Sequence, residues 1–363
     1  MKELRRKEKY QRFQERRQKR SLKRRKQVRR RKKHLHRLLH GKPRVQHGNI
    51  KLRMRYTEIK APSSFSLLTN TEETISFINE IENCFTARKR VFVVLEKVTQ
   101  IDPSAITVLL SVMYKFKIAR IKFNGDFPED EGVKQKLVDS QFFEKLMKPL
   151  SSKIDSDYIL RKENQIFARA NRIVVSEMGE KIMEEASQTI WGKKRICKGL
   201  QKTLLELMQN TNNHASTSQE GEVYWWLSVN HNKEDHSVDF YFVDYGQGIL
   251  GSLSHRANPK IWSKFWQNME KMIESGSEPQ IIESLLKGEH RSPKQRDRPY
   301  YRGKGLPSIK NSLDRNQISG LQVITNNTFT DVEKGSFSRL SKNFNGTFFH
   351  WKLCQENLNE VWR

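Results

Sequence analysis

Charge is segregated along this chain, and the segregation limits how much of it can build a core. Of 68 Lys+Arg and 41 Asp+Glu in 363 residues, residues 1–55 hold 25 of the bases and three of the acids, Glu3, Glu8 and Glu15. The arm alone carries a balance of +22 out of the chain's +27, so the residues after it are close to neutral. From Lys2 to His40 there is no Gly or Pro and helix formers dominate, yet apolar residues gather only at Leu35, Leu38 and Leu39. No face of such a helix can drive burial. The arm therefore reads as a solvated helix, or as a disordered segment that orders on an anionic partner. Nucleic acid (DNA or RNA) is the expected partner, since each neutralised phosphate releases a counterion. A solubilising tail is the competing reading. The Leu35–Leu39 stripe is too short to favour a membrane.

The rest of the chain has room for two cores at ordinary domain sizes. Three cysteines, Cys84, Cys197 and Cys354, stand far apart with no CxxC pair. That reads against a disulfide framework or a structural zinc site and for a reducing compartment. No apolar run reaches the roughly 18 residues of a membrane span, and Met1–Arg55 has no apolar h-region of a secretory signal. The expectation is a cytoplasmic protein without a transmembrane segment.

Beyond Pro62 the pattern becomes globular. Asn70 and Glu73 form a capping-box pattern before apolar residues at helical spacing from Ile75 to Phe85. Val91–Leu95 is a continuous apolar run, as in a strand buried on both faces. Ser104 opens a second helix through Val108, Leu109, Val112 and Met113 as a plain N-cap, with Asp102 beside it. A short strand at Arg120–Phe123, closed by Asn124-Gly125, and a helix at Glu131–Ser140 complete an α/β alternation with at least partly parallel strands. The stretch Ser66–Leu150, with Ile101-Asp102-Pro103-Ser104-Ala105 opening its apolar helix, resembles a STAS (anti-anti-sigma) domain. In that family a serine at the position of Ser104 can be phosphorylated. Here Pro103 and Ala105 replace the usual Ser and Gly, so the resemblance implies a scaffold or a docking module for a protein partner.

The second half carries the polar boxes. A helix is expected from Ser176 and a longer one over Lys193–His214. On the latter, Glu206, Asn210 and His214 recur every four residues and share a face, opposite Leu204, Leu205, Leu207 and Met208. Alone, such a stripe is most often a solvated face. Two strands, Val223–Leu227 and Val238–Val243, lead to Asp244-Tyr245-Gly246-Gln247-Gly248-Ile249-Leu250-Gly251. Its formal GxGxxG is not a Rossmann fingerprint, because the acid precedes the glycines and no βαβ unit surrounds them. The glycines read instead as a turn that lets backbone approach a ligand held by Asp244. A helix over Ile261–Glu274 and a polar, basic insert over Ser275–Arg298 follow. Gly303-Lys304-Gly305-Leu306-Pro307 then places free N–H groups and a cation at a helix start, as in a phosphate cradle. Leu321–Thr325 and Gly346–Trp351 read as closing strands.

Four boxes in order over Ile173–Leu353, Glu-x3-Asn-x3-His-Ala from Glu206, Asp-x-Gly-x-Gly-Ile from Asp244, Gly-Lys-Gly-Leu from Gly303 and Gly-Thr at Gly346, resemble the GHKL ATPase superfamily of gyrase B, heat-shock chaperones, histidine kinases and MutL. The resemblance implies ATP and Mg²⁺ as cofactors. It implies that Glu206 activates the attacking water, or a protein hydroxyl in kinase members. It implies that Asn210 is the metal ligand, with His214 on the same helix face. Asp244 would accept from the adenine amino group, Gly246 and Gly248 would underlie the nucleotide, and Thr347 would help to hold adenine. Gly303, Lys304 and Gly305 would belong to the lid over the phosphates. The expected fold class is α/β: basic arm 1–55, STAS-like domain 56–150, connector 151–175 and a GHKL (Bergerat) α/β sandwich 176–363. The expected function is a Mg-dependent ATP-hydrolysing switch whose arm contacts nucleic acid; the resemblance leaves open whether the chain forms an ATP-dependent homodimer, as several relatives do. An anti-sigma-type protein serine/threonine kinase acting on a STAS-like partner, and a non-hydrolysing nucleotide sensor or adaptor, are the alternatives. A sensor histidine kinase is disfavoured, since no phosphoacceptor helix, membrane span or receiver domain is found.

Overall fold

The computed structural model describes residues 56–147, 165–171, 176–214, 224–254, 271–289 and 305–358, with eight residues between Phe13 and Arg29 that are helical and, like Leu22, exposed. Gly303 and Lys304 lie outside the described residues, as does most of the helix expected over Ile261–Glu274, of which 271–274 are helical.

The first layer runs β1 (Thr57–Lys60), β2 (Ser64–Phe65), α1 (Thr71–Thr86), β3 (Val91–Val94), β4 (Gln100–Ile101), α2 (Pro103–Ile118), β5 (Phe123–Gly125), α3 (Glu131–Asp139) and α4 (Phe142–Met147). Strands β1, β3 and β5 form a parallel sheet in that order, and β2 pairs with β4, also in parallel. Globular structure thus begins before Pro62, with β1. Strand β5 starts three residues later than the sequence suggests. Arg120 takes a left-handed φ of 58° and the Ile121 N–H donates to the Phe116 carbonyl, so these residues close α2 rather than open the strand. Two caps also differ. Asn70 makes no side-chain cap to α1; its amide instead donates to Glu73 Oε2 (2.8 Å) and the Ser64 carbonyl (2.7 Å). Asp102, not Ser104, caps α2, accepting from the Ala105 N–H at 3.0 Å, with Pro103 in the first turn.

The second layer contains β6 (Gln165–Asn171), α5 (Ser176–Trp191), α6 (Lys198–His214), β7 (Tyr224–Asn232), β8 (Ser237–Asp244), α7 (Gly248–Ser254), α8 (Glu278–Lys287), α9 (Gly305–Asp314), β9 (Ser319–Asp331) and β10 (Ser336–Cys354). The strands form a five-stranded sheet in the order β6-β7-β8-β10-β9, every pairing antiparallel. Residues read as connector supply its edge strand β6. The insert read as merely polar contains α8, which buries Ile281, Ile282 and Leu286 and ends on Gly288 in a left-handed conformation. Among the described residues no helix is long and apolar enough to cross a membrane.

The two layers share a core. Strand alternation sends Trp225, Phe240, Phe242, Phe349 and Trp351 to one face of the five-stranded sheet, against α5, α6, α8 and α9. Trp226, Tyr241, Val243 and Phe348 point the other way, into the cluster built by α1, α2 and the parallel strands. Helix α2 is buried from Ser104 through Met113 without an exposed stripe. A helix apolar all round needs cover on every side, and this one lies between the two sheets.

Candidate functional site

Polar side chains converge where β8 ends beside α6. Asp244 is the last residue of β8 and faces the helix layer, the direction taken by Phe242 and Phe240 two and four residues earlier. Its Oδ2 accepts from Thr211 Oγ at 3.0 Å and its Oδ1 accepts from the Thr347 N–H at 3.1 Å. Thr347 stands opposite Asp244 in the β8–β10 register. Asp244 as a residue is only partly buried, but the protein packed round its carboxyl pushes it up to about 6 against the pull of those hydrogen bonds.

Glycine is required at two neighbouring places. Gly346 has φ 148°, and a Cβ there would collide with the Asp244 carbonyl. Gly248 has φ 69°, and a Cβ would strike the Asn326 side chain. Asn326 holds this turn: its amide donates to the Gln247 carbonyl (2.9 Å) and its oxygen accepts from the Leu250 N–H (3.1 Å). Thr325 Oγ accepts from the Ile249 N–H at 2.9 Å. Gly246, by contrast, is exposed and a Cβ there meets nothing within 4 Å.

One turn back along α6 from Asn210 stands Glu206. Leu200, Leu204, Leu207 and Met208 turn that helix toward the core, leaving Glu206 and Asn210 half-buried on its other side. Leu205, expected in the core, is only partly buried. Helix α9 begins against this face: a Cβ on Gly305 would lie 2.9 Å from Asn210 Nδ2 and 3.0 Å from Glu206 Oε2. A glycine here keeps backbone N–H groups of a helix start close to a carboxylate and an amide. Burial raises the Glu206 carboxyl above its ordinary value, opposed by Lys202. Among the described residues no group of three or more His, Cys, Asp or Glu could hold a metal. A cation held by Asn210 would have to take most of its ligands from a bound substrate and water, which is how Mg²⁺ is ordinarily held beside phosphates.

The structure therefore brings Glu206, Asn210 and Gly305 together along the second half of α6, and Asp244, Gly248 and Thr347 beside Thr211 at a neighbouring point. His214 ends α6, but its side chain, like Gly303 and Lys304, lies outside the described residues. Sequence reading missed Thr211, Thr325 and Asn326. Thr211 had a signal, since it follows Asn210 on the same helix and can reach the next strand end. Asn326 had none, because it lies inside β9 and its left-handed φ of 50° belongs to the register shift opposite Phe344, which only strand pairing creates. Comparison with family models, with curated proteins and with solved structures finds no match for this chain.

Proposed function

We propose that the second layer binds and hydrolyses ATP in the manner of the GHKL ATPases. The observation that supports this most is the carboxyl of Asp244, engaged on one oxygen by Thr211 and on the other by Thr347, with acceptor capacity left over. A carboxylate offers about four lone-pair sites, so it can take a further hydrogen bond from an exocyclic amino group but none from a carbonyl. Guanine has a carbonyl at the ring position where adenine has its amino group, so a base seated with that position against Asp244 is adenine and not guanine. At the other end of the site, Glu206 takes the proton of the attacking water, a role suited to a carboxyl that burial has raised. Asn210 would be the protein ligand of Mg²⁺, which when bound neutralises charge on the phosphates. Gly303, Lys304 and Gly305 are assigned to the lid that covers the phosphates.

The parallel layer, in this proposal, is a STAS-like scaffold. Ser104 is fully buried, donates to Asp102 Oδ1 at 2.5 Å and accepts from the Leu67 N–H at 3.0 Å. It is a packing serine, so a kinase reading would need its acceptor on another chain. The basic arm is assigned to nucleic-acid phosphates, and ATP-dependent pairing of two copies is proposed from the same GHKL resemblance.

The test is nucleotide binding and turnover with γ-labelled ATP on the full chain. Glu206→Ala should keep ATP and lose phosphate release by at least two orders of magnitude. Asn210→Ala should lose Mg²⁺-dependent affinity, and Asp244→Asn should lose the preference for ATP over GTP. Label appearing on a protein would transfer the proposal to the kinase reading, binding without turnover would leave a sensor, and equal ATP and GTP affinity in the wild type would remove Asp244 as the base reader.

A further inference from the structure

Asp244 and Tyr245 are consecutive, and alternation sends them to opposite faces of the sheet. Asp244 turns toward α6, while Tyr245 packs against the cluster of the parallel layer. The Tyr245 hydroxyl lies 2.8 Å from Ser111 Oγ and donates to the Val108 carbonyl at 3.3 Å, both on α2. One turn along α2, the Lys115 ammonium sits 3.5 Å over the Tyr245 ring. The same ammonium pairs with Glu82 of α1 at 2.5 Å. The second oxygen of Glu82 accepts from the Asn345 amide at 3.1 Å.

Asn345 precedes Gly346 and Thr347, and Thr347 donates its N–H to Asp244. The irregular segment before it is also held by α1. Ser341 donates its N–H and hydroxyl to the two oxygens of Glu72 (2.7 and 2.6 Å), and the Asn79 amide donates to the Asn343 carbonyl at 2.8 Å. Both chain segments that frame the Asp244 carboxyl are thus gripped from behind by the parallel layer: Tyr245 by α2, and 341–345 by α1.

We propose that this grip is a clamp, in which Tyr245 and Asn345 are positioning residues that aim Asp244 and the Thr347 N–H, so that the parallel layer controls the affinity and base selectivity of the site. This rests on Asp244 being the base reader. The physical reason is that a carboxyl selects an amino group only when its free lone pairs point at it. A displacement of a few tenths of an ångström at either segment would misdirect those lone pairs, because the packed strands between them do not flex independently. By linkage, a base bound at Asp244 must in turn stabilise the clamped arrangement of α1 and α2.

The experiment is calorimetric titration of the full-length protein with adenosine and with guanosine. The proteins are wild type, Tyr245→Phe, Asn345→Ala, Asp244→Asn and the double variant Asp244→Asn/Tyr245→Phe. Tyr245→Phe keeps the ring under Lys115 and removes only the hydroxyl bonds. It should weaken adenosine about five-fold, as expected for one hydrogen bond, and lower the adenosine-to-guanosine ratio by the same factor. The double variant should bind no more weakly than Asp244→Asn alone. Asn345→Ala tests the second segment independently and should also lower the ratio. Wild-type affinity and selectivity in both single variants would overturn the clamp. So would an equal loss from Tyr245→Phe in the Asp244→Asn background, which would mean general loosening. Failure of the wild type to bind adenosine at all would instead overturn the assignment of Asp244 itself, and the clamp with it.

Discussion

Asp244 carries a proton-linked consequence that requires no ligand to observe. Burial lifts its carboxyl to about 6 in the folded protein, whereas an unfolded chain holds it at roughly 3.9. Between these values the folded state keeps a proton that the unfolded state has released. Its contribution to stability therefore declines as pH rises from about 4 to about 6 and is level above. Denaturant unfolding across that range should show Asp244→Asn gaining on the wild type as pH rises, then running parallel to it. A difference that does not change with pH would mean the carboxyl is not held as described. His231 acts in the opposite sense within an overlapping window. It is buried, held 2.7 Å from Thr189 Oγ and lowered to about 4, so its contribution is lost as pH falls from about 6.5 to about 4. The comparison of the two Asp244 forms cancels it. Much of this residue scale was legible in sequence. Glu206, Asn210 and Asp244 stand where helical spacing and the strand end put them, because both depend on near neighbours. The partners of Asp244 were not legible, since Thr347 is 103 positions away and reaches it only through strand pairing.

At the scale of elements, the start of α9 lies against Glu206 and Asn210, where the proposed nucleotide would bring its phosphates. A Cβ on Gly305 would meet the tips of Glu206 and Asn210 rather than backbone, and such tips can move aside cheaply. Gly305→Ala should therefore leave thermal stability within about 1 kcal/mol of the wild type, while phosphate release falls at least ten-fold because the side chains that shift are the proposed catalytic and metal-holding ones. Parallel measurement of the melting curve and the rate checks this; unchanged turnover would place the phosphates elsewhere. Element assignment from sequence succeeded where periodicity was long, as in α1, α5, β7 and β8. It failed for α8 itself, although Pro279 in its first turn and Gly288 after its end are ordinary boundary signals. The basic residues after that helix hid a short apolar face. Strand β6 failed for a different reason, since an edge strand owes its existence to the ladder of β7 beside it.

At the scale of the molecule, a shared core makes the two layers one cooperative unit. Ile75, Ile78 and Val108 pack in the same cluster as Trp226, Val243 and Phe348, so separating the layers would expose α2 and one whole sheet face. Calorimetry of the full chain should show a single transition. Deleting residues 1–55 should leave that transition in place and remove nucleic-acid binding whose logarithm falls with the logarithm of salt at about −0.9 per phosphate contacted on duplex DNA. Two separate transitions would mean the layers fold independently, and undiminished binding by the truncated protein would move the nucleic-acid site into the body. The sequence by itself determined the partition into a charged arm and a neutral body, the α/β alternation and the order of the polar boxes, because charge, periodicity and turn chemistry are local quantities. Only the tertiary structure decided that the parallel layer covers the outer face of the antiparallel sheet and grips the two segments around Asp244. Adjacent pairs such as Trp225-Trp226 and Phe348-Phe349 require both faces of that sheet to be buried, but which element covers which face is settled by long-range packing, where complementary shape and the pairing of Glu82, Lys115 and Asn345 select one partner.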